Sequence, residues 1–168
     1  MHRPDTRRLT ELSLLCAVSL IMFIIEMQLP PVVPVPGVKL GLANIITVYA
    51  VYAYNARDAV MIFFVRIIIG SLFSGNVIAL IFSICGGLLC LFGMILIRRF
   101  TEINMIVFAS VAGAVLHNIG QTAAAVFVMK TTAVIVYLPY LMLSGCIAGG
   151  FTGLCAWLII KRIKKKQP

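Results

Sequence analysis

Ionisable residues inside long apolar segments are the first candidates for chemistry in this sequence. Glu26, Arg66 and His117 each lie within such a segment. An unpaired charge in hydrocarbon is costly, so ionisable groups there are functional candidates by default. A carboxylate, a guanidinium and an imidazole can bind charged or strongly polar groups. These three residues therefore predict a binding site within an apolar environment.

The depth of these residues predicts where such a site would open. At about 1.5 Å per helical residue, Glu26 lies roughly 5 Å from the end of the first apolar segment. By the same rule, His117 lies about 20 Å from the start of the fifth segment. Gln121 follows one helical turn later on the same face. Arg66 is close to the middle of the third segment. Apart from Arg66, the polar groups lean toward one half of the membrane, which favours a cavity open on that side.

The segment PPVVPVPGVKLGLANI, residues 30–45, adds a lysine to this set. Prolines favour extended chain, and Gly37 permits backbone angles that other residues resist. We expect a helix to start near residues 38–40, with its positive end beside Lys39, an arrangement that favours an anion. The alternative is an interfacial anchor in which Lys39 pairs with Glu26.

Each intramembrane residue also has a structural alternative. The Arg66 side chain could extend to the membrane–water interface, or it could donate hydrogen bonds to backbone carbonyls at a helix break. His117 and Asn118 could serve as hydrogen-bond links between helices. Together, Lys39, Arg66 and a protonated His117 outweigh Glu26, so a shared pocket would prefer an anionic or strongly polar solute.

The composition indicates that lipid is the solvent of this chain. Hydrophobic residues make up 62% of its 168 residues, charged residues only 11%, and the mean hydropathy is +1.10. A soluble domain is nearer half apolar and a quarter charged. The net charge of +9 does not point to nucleic acid, because the basic residues cluster at the chain ends and in short gaps. We therefore expect one all-α integral membrane domain over residues 1–168.

Six apolar runs are candidates for membrane helices, although the second and third are short for a complete span. They cover residues 12–29, 40–54, 59–73, 77–97, 103–129 and 133–160. The first run is too long for a typical signal peptide and predicts a retained helix. With six spans, eleven Lys and Arg residues fall on the side of the termini and two on the other side. This asymmetry predicts that both termini are cytoplasmic.

Several kinds of catalytic or metal site are not supported by the sequence. Asp5 and Asp58 are the only aspartates and are far apart, whereas magnesium diphosphate is held by clustered aspartates. There is no P-loop for ATP and no familiar hydrolase motif. The five cysteines form no CxxC pair and read as apolar packing residues. We therefore expect no metal and no cofactor, and the sequence favours a chain without catalysis of its own.

Small residues spaced four apart predict close helix contacts. The strongest set is a double GxxxG pattern in the sixth run, and two weaker pairs occur in the fifth and first runs. Internal packing is favoured over docking to a partner, although both remain open. The residues are Gly145, Gly149, Gly153, Ala109, Gly113, Ser13 and Ala17.

The segments VPGVKLGLANIITVYAVY and RDAVMIFFVRIIIGSLFSG, with the later His117–Asn118 pair, resemble a known bacterial membrane family. That family carries the labels heptaprenyl diphosphate synthase component I and Gx transporter family. Its layout is similar to the substrate-binding S components of energy-coupling-factor transporters. The resemblance implies that Gly37, Lys39, Gly41 and Asn44 are important.

These observations lead to one functional expectation and one alternative. We expect a multi-pass protein of the bacterial cytoplasmic membrane that captures a small, anionic solute from outside, with a coupling protein and ATPases as partners. The alternative is a non-catalytic membrane subunit for heptaprenyl diphosphate synthesis. The residues expected to bind solute are Glu26, Gly37, Lys39, Gly41, Asn44, Arg66, His117, Asn118 and Gln121.

Overall fold

The computed structural model describes residues 6–28, 41–75 and 77–166, and its regular structure in these ranges is helical. Two short 3₁₀ helices, Ile103–Met105 and Ala133–Tyr137, lead into the last two α-helices. The six α-helices are α1 (Thr6–Gln28), α2 (Leu42–Ala53), α3 (Ala56–Ser74), α4 (Val77–Phe100), α5 (Ile106–Met129) and α6 (Leu138–Lys166). The expected number of helices is therefore confirmed.

Four of the helical segments are long and apolar enough to cross a membrane. They are Thr6–Gln28, Leu80–Phe100, Ile103–Met129 and Ala133–Ile163. α2 has only 12 residues, and α3 carries Arg57, Asp58 and Arg66 within its 19 residues. The chain thus has the features of a multi-pass membrane protein. The S-component layout and the cytoplasmic position of the termini remain predictions.

α2 lies at the centre of the bundle and contacts each of the other five α-helices. It packs against α1, α3, α4, α5 and α6, and eight of its 12 residues are buried. A helix that is apolar on all sides is expected to be surrounded by other elements. Val48 and Val51 are almost fully buried there, beside Phe63 of α3 and Met94 of α4 in the hydrophobic core.

The start of α2 differs from the expectation from sequence. The helix begins at Leu42, rather than near residues 38–40. Gly41 precedes it with a φ of 73°, in the left-handed region. A regular right-handed helix cannot pass through that conformation, and glycine adopts it without a steric penalty.

One end of the bundle is fastened by charged and polar contacts between four helices. Arg98 of α4 donates to the backbone carbonyl of Val51 and, at 2.6 Å, to that of Tyr54. The Tyr54 hydroxyl donates to Glu11 of α1 at 3.0 Å. Arg8 of α1 pairs with Asp58 of α3. Because α1 begins and α2 ends here, this is the end at which the described chain starts.

The double GxxxG pattern of α6 faces α5, so internal packing accounts for it. A Cβ atom added to Gly149 would lie 2.8 Å from the Val111 Cα, and one added to Gly153 would lie 2.9 Å from the Val107 Cα. Gly145 meets the Asn118 side chain in the same contact. Real Cβ atoms do not approach other atoms this closely, so only glycine allows these backbones to touch.

The two weaker small-residue pairs have different positions. Ala109 is fully buried, and Gly113 of α5 faces Met94 and Cys90 of α4. Ser13 and Ala17 instead lie on the exposed face of α1. The α1 pair is therefore not used for packing within the described part of the chain.

Candidate functional site

A cavity of about 370 Å³ lies between the helices. Its wall contains the last turns of α1, the first turn of α2 and the second half of α3. The start of α4, the middle of α5 and the first half of α6 complete it. In a bundle of alternating helices, these parts meet at the end opposite the Arg98–Tyr54 contacts. The volume is within the range of about 300 to 1,000 Å³ that is typical of small-molecule sites.

The structure brings most of the sequence-predicted binding residues to this one cavity. These residues are far apart in the chain and are carried by α1, the start of α2, α3 and α5. Gly37 and Lys39 lie outside the described residues. The predicted residues that line the cavity are Glu26, Gly41, Asn44, Arg66, His117, Asn118 and Gln121.

Arg66 supplies the cation of the cavity. Its side chain is buried, with an exposed fraction of 8%, and its Nη1 donates to Asn44 Oδ1 at 3.1 Å. The guanidinium also lies 5.8 Å from the centre of the Phe63 ring, within the range of a cation–π contact. No carboxylate of the described residues lies within 4.0 Å of it. Arg66 is therefore a buried cation with a neutral polar partner.

Glu26 supplies the carboxylate and contacts the start of α2. The Gly41 N–H donates to Glu26 Oε1 at 2.5 Å. The first N–H groups of a helix lack partners within the helix, and a carboxylate there is favoured by the helix dipole. The anion-favouring end of α2 is thus already in contact with a carboxylate of the protein itself.

The first turn of α2 connects these two charged residues. The Asn44 N–H donates to the Gly41 carbonyl at 2.8 Å, so the two residues belong to one closed turn. Gly41 binds Glu26 through its backbone, and Asn44 binds Arg66 through its side chain. The turn therefore positions a carboxylate and a guanidinium although α2 itself carries no charge.

The α5 side of the cavity contains His117 and Gln121, one helical turn apart. His117 packs closely on α4, because a Cβ atom at Gly86 would lie 3.2 Å from both Cε1 and Nδ1 of the imidazole. Gln121 is half-buried at the cavity wall. These two side chains carry hydrogen-bonding groups and line the same cavity as Glu26 and Arg66.

Asn118 has a structural contact in addition to its place in the wall. Its Nδ2 donates to the Leu141 carbonyl of α6, which also accepts from Ser144 Oγ at 3.0 Å. Asn118 is 8% exposed. This matches the alternative in which Asn118 links helices.

Sequence reasoning missed the hydroxyl groups of the cavity. Ser71 and Ser74 bond to backbone carbonyls of their own helix, and Thr152 contacts Ser110 of α5 at 3.0 Å. The spacing of Arg66, Gly70 and Ser74 places them on one face of α3. That spacing was the available signal, but serine bonded to its own helix is common within membranes and singles out no site. The missed polar residues are Ser71, Ser74, Ser83, Ser144 and Thr152.

The cavity wall contains charges of both signs. Among the described lining residues, Arg66 and Glu26 are of opposite charge, and the predicted excess of positive charge also counted Lys39 and a protonated His117. Within residues 6–28, 41–75 and 77–166, no three His, Cys, Asp or Glu side chains are grouped to hold a metal ion. Asp58 lies at the other end of the bundle, paired with Arg8.

Comparison with known proteins gives a family for this chain. Residues 15–159 match the sequence model of a family described as heptaprenyl diphosphate synthase component I. No curated protein and no solved structure matches the chain. Since the match covers most of the 168 residues, the chain belongs to the heptaprenyl diphosphate synthase component I family.

Proposed function

We propose that this chain is a membrane uptake protein that binds a small solute with an anionic group in the cavity. The observation that carries the proposal is Arg66, a buried cation that lines the cavity and has no carboxylate of the described residues within 4.0 Å. A buried charge is unfavourable without compensation. A carboxylate, phosphate or sulfate of a solute would supply that compensation.

The direction of uptake follows from the predicted topology. With both termini in the cytoplasm, the end of the bundle that holds the cavity faces outward. The described basic residues Arg8, Arg57 and Arg98 then lie at the cytoplasmic end, as the positive-inside rule requires. The solute would enter from outside, and the chain would bind it without acting on it.

The energy for transport would come from other proteins. An arrangement similar to that of S components would require a membrane coupling protein with ATPase subunits. Ser13 and Ala17 offer such a protein a small-residue face on α1, since they are exposed and small residues allow close helix contact.

The test of this function is the solute that the protein retains. Wild-type protein is purified in mild detergent, and bound small molecules are extracted and identified by mass spectrometry. We expect one polar solute with an anionic group, at a constant ratio to protein. Arg66→Gln keeps a donor for Asn44 but removes the charge, and should lower the retained amount at least tenfold, whereas Arg57→Gln, at the exposed start of α3, should not. Equal retention by both variants, or no retained solute and no uptake, would contradict the proposal.

The family description favours a second candidate function. The words "component I" imply a further component, so the chain could be the membrane subunit of a heptaprenyl diphosphate synthase. In that case, a soluble, aspartate-rich catalytic subunit should co-purify with it, and removal of this chain should change the length of the prenyl product. Co-purification of that subunit, together with an empty cavity, would replace the uptake proposal.

A further inference from the structure

Glu26 and Arg66 line one cavity without forming an ion pair. Both belong to the cavity wall, and the Glu26 carboxylate is near enough to act electrostatically on Arg66. The two groups are nevertheless more than 4.0 Å apart, since the ion pairs among the described residues are Arg7–Glu11 and Arg8–Asp58.

Separate partners hold these opposite charges apart. In an apolar interior, a carboxylate and a guanidinium attract each other strongly, so direct contact is the expected arrangement. Here each group bonds to a different point of the first α2 turn, Glu26 to the Gly41 N–H and Arg66 to the Asn44 side chain. The turn thus keeps space between two complementary charges.

Both charged groups retain hydrogen-bonding capacity toward the cavity. A guanidinium has about five N–H donors, and a carboxylate can accept about four hydrogen bonds. Among described residues, Arg66 uses one donor on Asn44, and Glu26 accepts one bond from Gly41. The groups can therefore each bind a further partner of opposite charge.

We infer that the solute is a zwitterion of the amino-acid type, whose anionic group meets Arg66 and whose ammonium group meets Glu26. This inference rests on the proposed uptake function and names its substrate class. A zwitterion matches two opposite charges in one cavity, and an anion alone would leave Glu26 facing a like charge. Phe23, Met27, Ile67 and Leu80 also line the cavity and would contact the hydrocarbon part of the solute.

Sets of compounds that share one skeleton and differ only in charge test this inference. Each of the apolar amino acids is compared with its deaminated acid and its decarboxylated amine. For leucine, these are 4-methylpentanoate and 3-methylbutylamine. Binding to purified wild-type protein is measured by the rise in unfolding temperature, followed by titration calorimetry of every compound that stabilises the protein. A bond to a charged group contributes enough that the amino acid should bind at least about tenfold more tightly than either analogue.

A charge-removing variant shows whether Glu26 is the group that recognises the ammonium. Glu26→Gln keeps an oxygen that can accept from the Gly41 N–H, so the start of α2 should be preserved. In this variant, the preference for the amino acid over its deaminated acid should fall to within about threefold. Glu102→Gln, an equivalent change at an exposed residue outside the cavity, should retain the full preference.

The outcomes separate this inference from the proposed function. If the deaminated acids bind as tightly as the amino acids, or if the retained native solute carries only negative charge, the zwitterion inference is wrong while the uptake function stands. If Glu26→Gln leaves the preference unchanged, the inference is also wrong. If no compound stabilises the protein and no solute is retained, both proposals fail. A retained native zwitterion whose binding depends on Glu26 supports both.

Discussion

Arg66 of α3 donates a hydrogen bond to the side chain of Asn44 on α2, at 3.1 Å. The partner is neutral, so the contact orients the guanidinium without cancelling its charge. A buried cation is more often compensated by a carboxylate within the fold. The Arg66–Asn44 contact therefore fixes the position of a charge that has no carboxylate of the described residues within 4.0 Å.

Asn44→Asp should weaken binding of the anionic group while preserving the fold. The new carboxylate would occupy the position of the amide and form an ion pair with Arg66. We expect solute affinity to fall at least about tenfold, because the solute would compete with a tethered charge. Titration calorimetry or the retained amount of solute measures this loss. Asn104→Asp, at an exposed residue of the first 3₁₀ helix, is the control. Unchanged affinity in Asn44→Asp would show that Arg66 does not contact the solute.

Gly149→Ala should loosen the contact between α5 and α6. The added Cβ would lie 2.8 Å from the Val111 Cα and 2.9 Å from the Ala114 Cβ, so the two helices would have to separate. We expect a loss of about 1–3 kcal/mol in the free energy of unfolding. Gly150→Ala is a matched control, because nothing lies within 4 Å of its added Cβ. That change should be neutral, or stabilising by up to about 1 kcal/mol from helix propensity. Thermal unfolding in detergent distinguishes the two, and equal effects would contradict the described contact.

Arg98→Met should weaken the end of the bundle where α2 terminates. Arg98 donates to the carbonyls of Val51 and Tyr54, and these carbonyls would lose a charged donor. Bonds to charged groups contribute about 1.5–3 kcal/mol, and less for a partly exposed group such as this one. Arg99→Met removes an equal charge from the neighbouring, exposed position. Unfolding temperatures of the two variants should differ clearly, with only Arg98→Met lowered. A similar decrease in both would mean that general charge loss is responsible.

Tyr54 should make stability depend on pH in the alkaline range. The residue lies in the connection after α2, where burial, followed by its hydrogen bond to Glu11, raises the pKa of the phenol from 10.0 to about 12. The folded state therefore holds this proton more tightly than the unfolded state does. The protonated phenol of Tyr54 therefore makes its full contribution to the free energy of unfolding below pH 10, and this contribution is lost as the pH rises toward 12. The difference in unfolding free energy between wild type and Tyr54→Phe should be constant up to pH 10 and shrink above it. A difference that stays constant to pH 12 would contradict this assignment.

Much of the fold follows from the sequence because the apolar segments are clearly separated. The predicted segment of residues 103–129 coincides with the span of the first 3₁₀ helix and α5. The segment of residues 12–29 ends one residue after α1 but begins six residues too late. Residues 6–11 include basic and acidic side chains, which lowered the local hydrophobicity below that of a membrane segment. A helix tolerates such side chains at a membrane boundary.

The residues that form the site were easier to predict than their contacts. Glu26, Arg66 and Gln121 stood out because polar groups are rare in apolar segments, and all three line the cavity. The partner of Glu26 could not be predicted, because capping by a backbone N–H leaves no pattern in the sequence. The close approach of α4 to α5 at Gly86 and Gly120 was also missed. Gly86 has no glycine or alanine four positions away, whereas Gly120 and Ala124 form such a pair, which was not among the predicted helix contacts.

The glycines of α5 and α6 have a mechanical consequence. At Gly149 and Gly153, α6 meets the backbone of α5 directly, and Gly120 brings α5 equally close to α4. Backbone contacts of this kind resist sliding, since any shift produces a steric clash. α1, by contrast, meets the cavity wall through side chains, namely Phe23 against Gly70 and the Glu26–Gly41 and Ser19–Ala43 hydrogen bonds. The cavity therefore has a stiff half and a compliant half, and we expect a solute to enter by displacement of α1 rather than by separation of α5 and α6.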